Sequence, residues 1–380
     1  MDSRERLHTS GFGMPEIDSD EINSKVSFNV VIECLDHLFS LIKSNGKFVY
    51  AHRFGDKSNE FRGYNLLRHC GTVWFMCKAI DHLSLGISPE RQRLLSVAVQ
   101  YIVDKLRPPP WQAGSPPGLC LPSRVAVKIG GGGLCLLMLN AYAQLLQNRR
   151  ISHAETAASH SLDTLCERLE NYLLSEFVDG DFIHKRVFST GEVLPFRSGY
   201  YTGEVLFALI KTGRSPERAA EVLAGLIGRD YGVAEQSHWM AYAASEAVQQ
   251  GLPRKDRTLR YLDRLIGRII VEPGYRERQQ PTPIACRTEA FFAYLETFGN
   301  HDSSMAEVRR ELRARAYDSA LENLKLQFAH YGNGQFRRGG DSDKVQIDYI
   351  QHNGASFLGL TLLQYPDRKL SPGQLPRNLE

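Results

Sequence analysis

The sequence predicts an all-α protein, an (α/α)6 toroid of six helical hairpins with a small β-hairpin insertion, and three observations carry that prediction. The apolar pattern between residues 25 and 365 has helical period almost throughout. Amphipathic stretches alternate with a second kind of helix, polar at its start and then apolar on nearly every side. Six of each can be found. A helix apolar all round must be enclosed, and six of them wrapped by an outer ring of amphipathic helices enclose one another.

In chain order the inner helices are LRHCGTVWFMCKAI from Leu67, GGGGLCLLMLNAYAQLL from Gly130, YYTGEVLFALI from Tyr200, SHWMAYAASEAV from Ser237, CRTEAFFAYLETF from Cys286 and QHNGASFLGLTLL from Gln351. Each is paired with an amphipathic stretch before it, over 27–44, 89–106, 155–175, 215–228, 257–270 and 304–330. In the second of these, Leu94, Leu95, Val99, Ile102, Val103 and Leu106 fall on one face. Two insertions interrupt the pattern. Residues 107–122 hold six prolines and cannot be helix. Residues 177–196 carry Asp-Gly and Thr-Gly turn signals between short alternating runs and are expected to form the β-hairpin. The run Gly130–Gly133 lacks the flanking pattern of a phosphate loop, so close backbone packing explains it better. Residues 1–24, polar and acidic, and 366–380, aperiodic, are expected to be mobile, which leaves a single domain over 25–365.

Composition narrows the partners. With 46 basic and 43 acidic residues the formal charge is +3, too balanced for a nucleic-acid binder. Seven cysteines in no paired short spacing indicate reduced, buried thiols. The N-terminal stretch has no apolar signal-peptide run, and nothing later gives about 18 consecutive apolar residues. A cytoplasmic protein with no membrane partner is expected; the oligomeric state is not legible.

In a toroid of this kind every inner helix runs the same way, so the six polar starts meet at one mouth. Six helix N-termini there favour an anionic group. The residues gathered are Tyr64, Asn65, Arg68 and His69; Lys128; Tyr200, Tyr201 and Glu204; Ser237, His238 and Trp239; Arg287 and Glu289; and Asp348, Tyr349, Gln351, His352 and Asn353. Glycoside hydrolysis needs one carboxyl group to protonate the leaving oxygen and a second as base or nucleophile. Asp348, Glu204 and Glu289 are the candidates, with His352 in support. Tyr201, Trp239 and Tyr349 suit stacking on a sugar ring, and Arg68 and Arg287 suit a carboxylate or phosphate. Tyr64, Asn65, His69, His238, Gln351 and Asn353 complete the expected substrate contacts.

The histidines leave other chemistry open. His69, His238 and His352, with Tyr64, Tyr201 or Tyr349, would serve β-elimination or epimerisation. Zinc held by some of His69, Cys70, Cys135, Cys286 and His352 is conceivable, but no spacing supports it, and neither a metal nor another cofactor is expected. A toroid that binds a glycan or peptide without turnover is a third possibility.

The segments YNLLRHCGTVWFM, YYTGEVLFALI, HWMAYA, RTEAFF and FRRGGDSDKVQIDYIQHNGASFLGL resemble a bacterial group within the six-hairpin glycosidase-like superfamily, over about residues 60–365. The resemblance implies the (α/α)6 fold and a carbohydrate-active enzyme, and the superfamily's toroid hosts hydrolases, lyases and epimerases. Related toroids host terpene cyclases and zinc-dependent lanthionine cyclases. This chain lacks the Asp-rich cluster of the first, and has His69-Cys70-Gly71 where the second have Cys-His-Gly. Relatives carry an acidic residue immediately before His-Trp, where this chain has Ser237; Asp230 and Glu235 are the nearest carboxylates that would replace it. The expectation is a glycoside hydrolase acting on a uronate- or phosphate-bearing saccharide, with a lyase, an epimerase or isomerase, or a cyclase as alternatives.

Overall fold

Ser24 begins the first helix because Asn23 caps it, its side chain accepting from the amides of Lys25 and Val26. The computed structural model describes residues 22–112, 118–152, 162–298 and 307–364. The first helix thus begins one residue before the expected domain start at residue 25, and most of the two expected mobile ends lies outside the described residues. Six outer helices alternate with six inner ones. The outer set is α1 (Ser24–Ser40), α3 (Pro89–Val103), α5 (Leu162–Ser175), α7 (Pro216–Ile227), α9 (Lys255–Val271) and α11 (Glu307–Phe328). The inner set is α2 (Leu66–His82), α4 (Ile129–Gln147), α6 (Tyr201–Thr212), α8 (His238–Gln249), α10 (Pro281–Glu296) and α12 (Ile347–Gln364).

Each inner helix packs on the next, α2 on α4, α4 on α6, and so on to α12, which packs back on α2 and closes the ring. One expectation is corrected. Each outer helix lies chiefly against the inner helix before it in sequence, and α1 lies against α12. The connections explain this: the turns leaving α2, α6 and α8 span only 83–88, 213–215 and 250–254, whereas those entering inner helices run over 41–65, 104–128, 176–200 and 329–346. Short connections join spatial neighbours. The long ones therefore gather at the end where the inner helices begin.

These long connections carry all the strands. The pairs β1 (Ala51–Arg53) with β2 (Asp56–Glu60), β3 (Pro122–Ser123) with β4 (Ala126–Lys128), and β5 (Phe177–Val178) with β6 (Asp181–Phe182) are local and antiparallel. The strand β7 (Lys185–Val187) pairs with β4. The expected hairpin over 177–196 is thus two short turns: Asp179 and Gly180 at positive φ join β5 to β6, and Gly191 turns the chain so that Arg186 faces Val193. A five-stranded sheet was not expected. It has the order β2-β1-β10-β9-β8, with β8 (Tyr331–Gly332), β9 (Gln335–Gly339) and β10 (Ser342–Gln346), and it ties residues 51–60 to the strand that runs straight into α12.

Close contact between inner helices needs glycine. A Cβ on Gly130 would come within 2.1 Å of Glu204 Oε2 and 2.5 Å of the Tyr201 ring, and one on Gly203 within 2.7 Å of Trp239 Cβ. The helix α4 is long and apolar enough to cross a bilayer, but most of it is buried between its neighbours in the ring. Inside the ring, Trp74, Phe207, Trp239 and Tyr242 pack edge-to-face, tilted or stacked at 5.1–6.1 Å, filling the centre. They form a floor under the end where the inner helices start.

Candidate active site

The N-terminal halves of α6, α8, α10 and α12 bring Glu204, His238, Cys286, Glu289, Asp348 and His352 to that floor. Two groups of contacts form. In the first, Asp348 accepts from Gln346 Nε2 at 2.7 Å and pairs with Arg68 Nε at 3.1 Å. The hydroxyl of Tyr50 accepts from Arg68 Nη1 at 3.0 Å and from Gln346 Nε2 at 3.1 Å. Burial, reinforced by the Asp348 charge, pushes that phenol up to about 12, so it stays a neutral brace. Arg68 remains 40 % exposed while its carboxylate partner is buried.

In the second group, Glu289 is enclosed by two donors. The Tyr242 hydroxyl donates to Oε2 at 2.8 Å, and His352 Nδ1 donates to Oε1 at 2.7 Å. The Cys286 sulfur lies 3.9 Å from the same imidazole nitrogen. Burial alone would push His352 down, but the Cys286 and Glu289 charges outweigh it and hold the ring well above its ordinary range. His238 stands against it edge to face, with ring centroids 5.4 Å apart. Burial, then the neighbouring His352 and Arg287, push His238 well below its ordinary range. It is 1 % exposed and neither ring nitrogen has a hydrogen-bond partner.

Glu204 stands apart from both groups. It is buried against Gly130 and Tyr201, its Oε2 has no partner, and burial pushes its carboxyl up to about 8 although the His352 charge acts the other way. Tyr201 links it to the first group: burial and the Glu204 charge push that phenol up to about 12, while Arg68 draws it down. The ring of Tyr201 packs near Phe196, and the ammonium groups of Lys128 and Lys185 sit 5.8 and 5.4 Å from the Phe196 ring centre.

Several expected contacts fall elsewhere. His69 is fully buried, accepting from the Tyr64 hydroxyl at 2.7 Å and donating to the Ala98 carbonyl at 3.0 Å, so this pair fastens α2 to α3 and offers substrate nothing. Asn65 caps α2 through the Leu67 amide. Trp239 belongs to the aromatic floor. Arg287 is anchored over the Tyr275 ring, donating to the Gln236 side chain and to the Pro283 and Glu235 carbonyls, which leaves Arg68 as the less committed of the two guanidinium groups. Gln351 packs against Gly71 across the seam between α12 and α2, with Nε2 unpartnered, and Asn353 donates to the Tyr349 carbonyl with Oδ1 unpartnered. Tyr349 is half-buried, its phenol raised by burial and by Asp348. Ser237 caps α8, accepting from the Met240 amide at 3.4 Å, and Asp230 pairs with Arg264 on the outer face. Asp230 does not stand in for the acidic residue that Ser237 replaces.

Tyr50, Gln346 and Tyr242 went unrecognised in the sequence. Gln346 is two residues from Asp348 in the chain, and Tyr50 joins them because β1 and β10 pair, placing Ala51 opposite Gln346. Tyr242 carried a legible signal, since it lies one helical turn beyond His238.

No family model and no curated protein matches the sequence. Solved structures do match. The chain superposes on a D-mannose isomerase with TM-score 0.59 at 9% identity, covering 92% of this chain and 99% of that one. The chain has the six-hairpin, (α/α)6 toroid fold. An unsaturated glucuronyl hydrolase specific for heparin gives 0.57 at 10% identity, over 90% and 98%. A GH76 α-mannanase from Bacteroides thetaiotaomicron gives 0.58 at 9%, over 90% and 96%. The toroid is common to all three.

Proposed function

We propose that this toroid is a carbohydrate-active enzyme that hydrolyses a glycosidic bond in an anionic saccharide, with Glu204 as general acid and Asp348 as the ionised partner. One observation carries the assignment: two carboxyl groups at one mouth sit in opposite surroundings, one buried with an orphaned oxygen and the other paired with a guanidinium. Glu204, buried with an orphaned oxygen and raised to about 8, keeps its proton at neutral pH. Asp348 pairs with the Arg68 guanidinium and accepts from the Gln346 amide.

In the proposed reaction Glu204 gives its proton to the leaving glycosidic oxygen as the bond breaks. Asp348 activates a water, or attacks the anomeric carbon itself; the separation of the two carboxyl groups around the bound sugar decides which. Arg68, partly exposed beside Asp348, offers an uronate or phosphate its remaining donors, and Tyr201 and Tyr349 flank the sugar face. The solved neighbours support saccharide chemistry in this fold without choosing a substrate.

The test is a panel of uronate-bearing and phosphorylated oligosaccharides, followed for new reducing ends. Hydrolysis should fall by about 10²–10⁴-fold in both Asp348→Asn and Glu204→Gln. Full turnover in either variant would sink the assignment. An ultraviolet-absorbing unsaturated product would replace hydrolysis by elimination, and solvent deuterium at a ring carbon would replace it by isomerisation.

A further inference from the structure

The second group of contacts has a geometry that acid/base hydrolysis does not use. His238, Cys286, Glu289 and His352 each place one potential ligand atom so that all four lie within 4.8 Å of one another. Within the set, Cys286 Sγ and His352 Nδ1 are 3.9 Å apart, and His352 Nδ1 and Glu289 Oε1 are 2.7 Å apart. Four ligands around a tetrahedral zinc, at about 2.0 Å for nitrogen or oxygen and about 2.3 Å for sulfur, stand roughly 3.3–3.8 Å from one another. Small side-chain shifts bring these four to that spacing.

Three further features fit a metal better than a chance cluster. His238 is buried with both ring nitrogens unpartnered, an arrangement that leaves desolvated polar atoms uncompensated unless something binds them. Tyr242 already donates to Glu289 Oε2, which orients the carboxylate and leaves Oε1 aimed into the cluster, as outer-shell partners of ligands do. The ligands sit on the first turn of α8, the second turn of α12 and, at Cys286 and Glu289, on one face of α10 between them, so rigid elements fix the geometry. Two imidazoles, one thiolate and one carboxylate form a borderline-soft set that suits zinc over magnesium or calcium.

We infer that His238, Cys286, Glu289 and His352 form a closed, four-coordinate zinc site that staples α8, α10 and α12 together beneath the mouth. Binding displaces the proton on His352 Nδ1 and takes Cys286 as its thiolate, the displaced protons leaving to solvent. The completed site carries no net charge: two positive charges on the metal balance the thiolate and the carboxylate. Glu204 then faces a neutral centre, so the site is compatible with its role as acid and independent of which bond the enzyme processes.

The full-length protein, stripped with a chelator, is titrated with Zn²⁺ and separately with Co²⁺. About one ion per chain should bind, and Zn²⁺ should raise the melting temperature. The Co²⁺ form should show visible bands of a tetrahedral ion and a near-ultraviolet thiolate charge-transfer band. Cys286→Ser should lose that band, and His238→Asn should weaken Zn²⁺ binding by at least about tenfold, with circular dichroism confirming that both fold. Glu204→Gln, inactive under the proposed function, should still bind one ion, so the two proposals fail separately. Absence of stoichiometric binding, or a Co²⁺ spectrum unchanged by Cys286→Ser, overturns the site and leaves His238 and His352 as a metal-free imidazole pair facing the mouth.

Discussion

The two ends of the inner ring treat buried polarity in opposite ways. At the end where the inner helices finish, Lys211 pairs with Glu246 at 2.9 Å, and Lys78 lies over the Trp74 and Tyr242 rings. Burial raises Glu296 there, and the charges of Lys78 and Lys211 act against the rise. Cations near helix C-termini also complement the helix dipoles. At the end where the helices start, His238, Glu204 Oε2, Gln351 Nε2 and Asn353 Oδ1 are buried and unpartnered. Orphaned buried polar atoms cost stability, so a protein keeps them where something else completes them. The difference sets the end where the helices start apart as the candidate site.

Substitutions at each end put that contrast to the test. The largest effect is expected at Glu204: Glu204→Gln should lower turnover by about 10²–10⁴-fold and yet stabilise the fold. A carboxyl raised to about 8 from an ordinary 4.5 binds its proton more tightly when folded, so its contribution to stability is intact below pH 4.5 and is lost as pH rises towards 8. The variant's advantage in urea unfolding should therefore be absent near pH 4.5 and grow to on the order of 3 kcal/mol by pH 7. A flat difference across that range would mean that Glu204 is ionised in the native protein.

Next comes the floor that separates the ends. Trp74→Ala removes a ring packed on Phe207, Trp239 and Tyr242 and should destabilise by about 3–5 kcal/mol in thermal or chemical unfolding. A loss under about 1 kcal/mol would show that the centre is loosely filled. Gly130→Ala should cost about 1–3 kcal/mol and impair turnover as well, because the added methyl collides with Glu204 and Tyr201. Turnover at the wild-type level in that variant would place Glu204 outside the chemistry. The smallest effect belongs to the end where the helices finish: Lys211→Met should change stability by no more than about 1 kcal/mol and leave turnover unchanged. Strong inactivation by that change would erase the distinction between the ends.

How much of this was visible in the sequence varies with the distance between partners. The inner helices could be read from their own residues, because a helix apolar on every side reports its enclosure locally. Even so, α10 begins at Pro281 and not at Cys286, and α12 at Ile347 and not at Gln351, so the polar clusters sit one to two turns inside these helices and not ahead of them. The five-stranded sheet escaped because β2 is DKSNE, exposed throughout and without alternation, and because β1 finds β10 nearly three hundred residues away. His69 and Tyr64 were placed at the mouth by their position near a helix start, yet their side chains turn towards α3.

By itself the sequence determined the six-fold helical ring and the end at which its polar residues collect, because hydrophobic periodicity is a local property of the chain. Tertiary structure alone decided which polar residues share a site. Asp348 meets Tyr50 through strand pairing and Arg68 through the packing of α12 on α2, Glu204 is isolated by the contact of Gly130 with α6, and His238, Cys286, Glu289 and His352 converge from three helices. Burial and charge at such junctions depend on neighbours far away in sequence, and no local pattern encodes them.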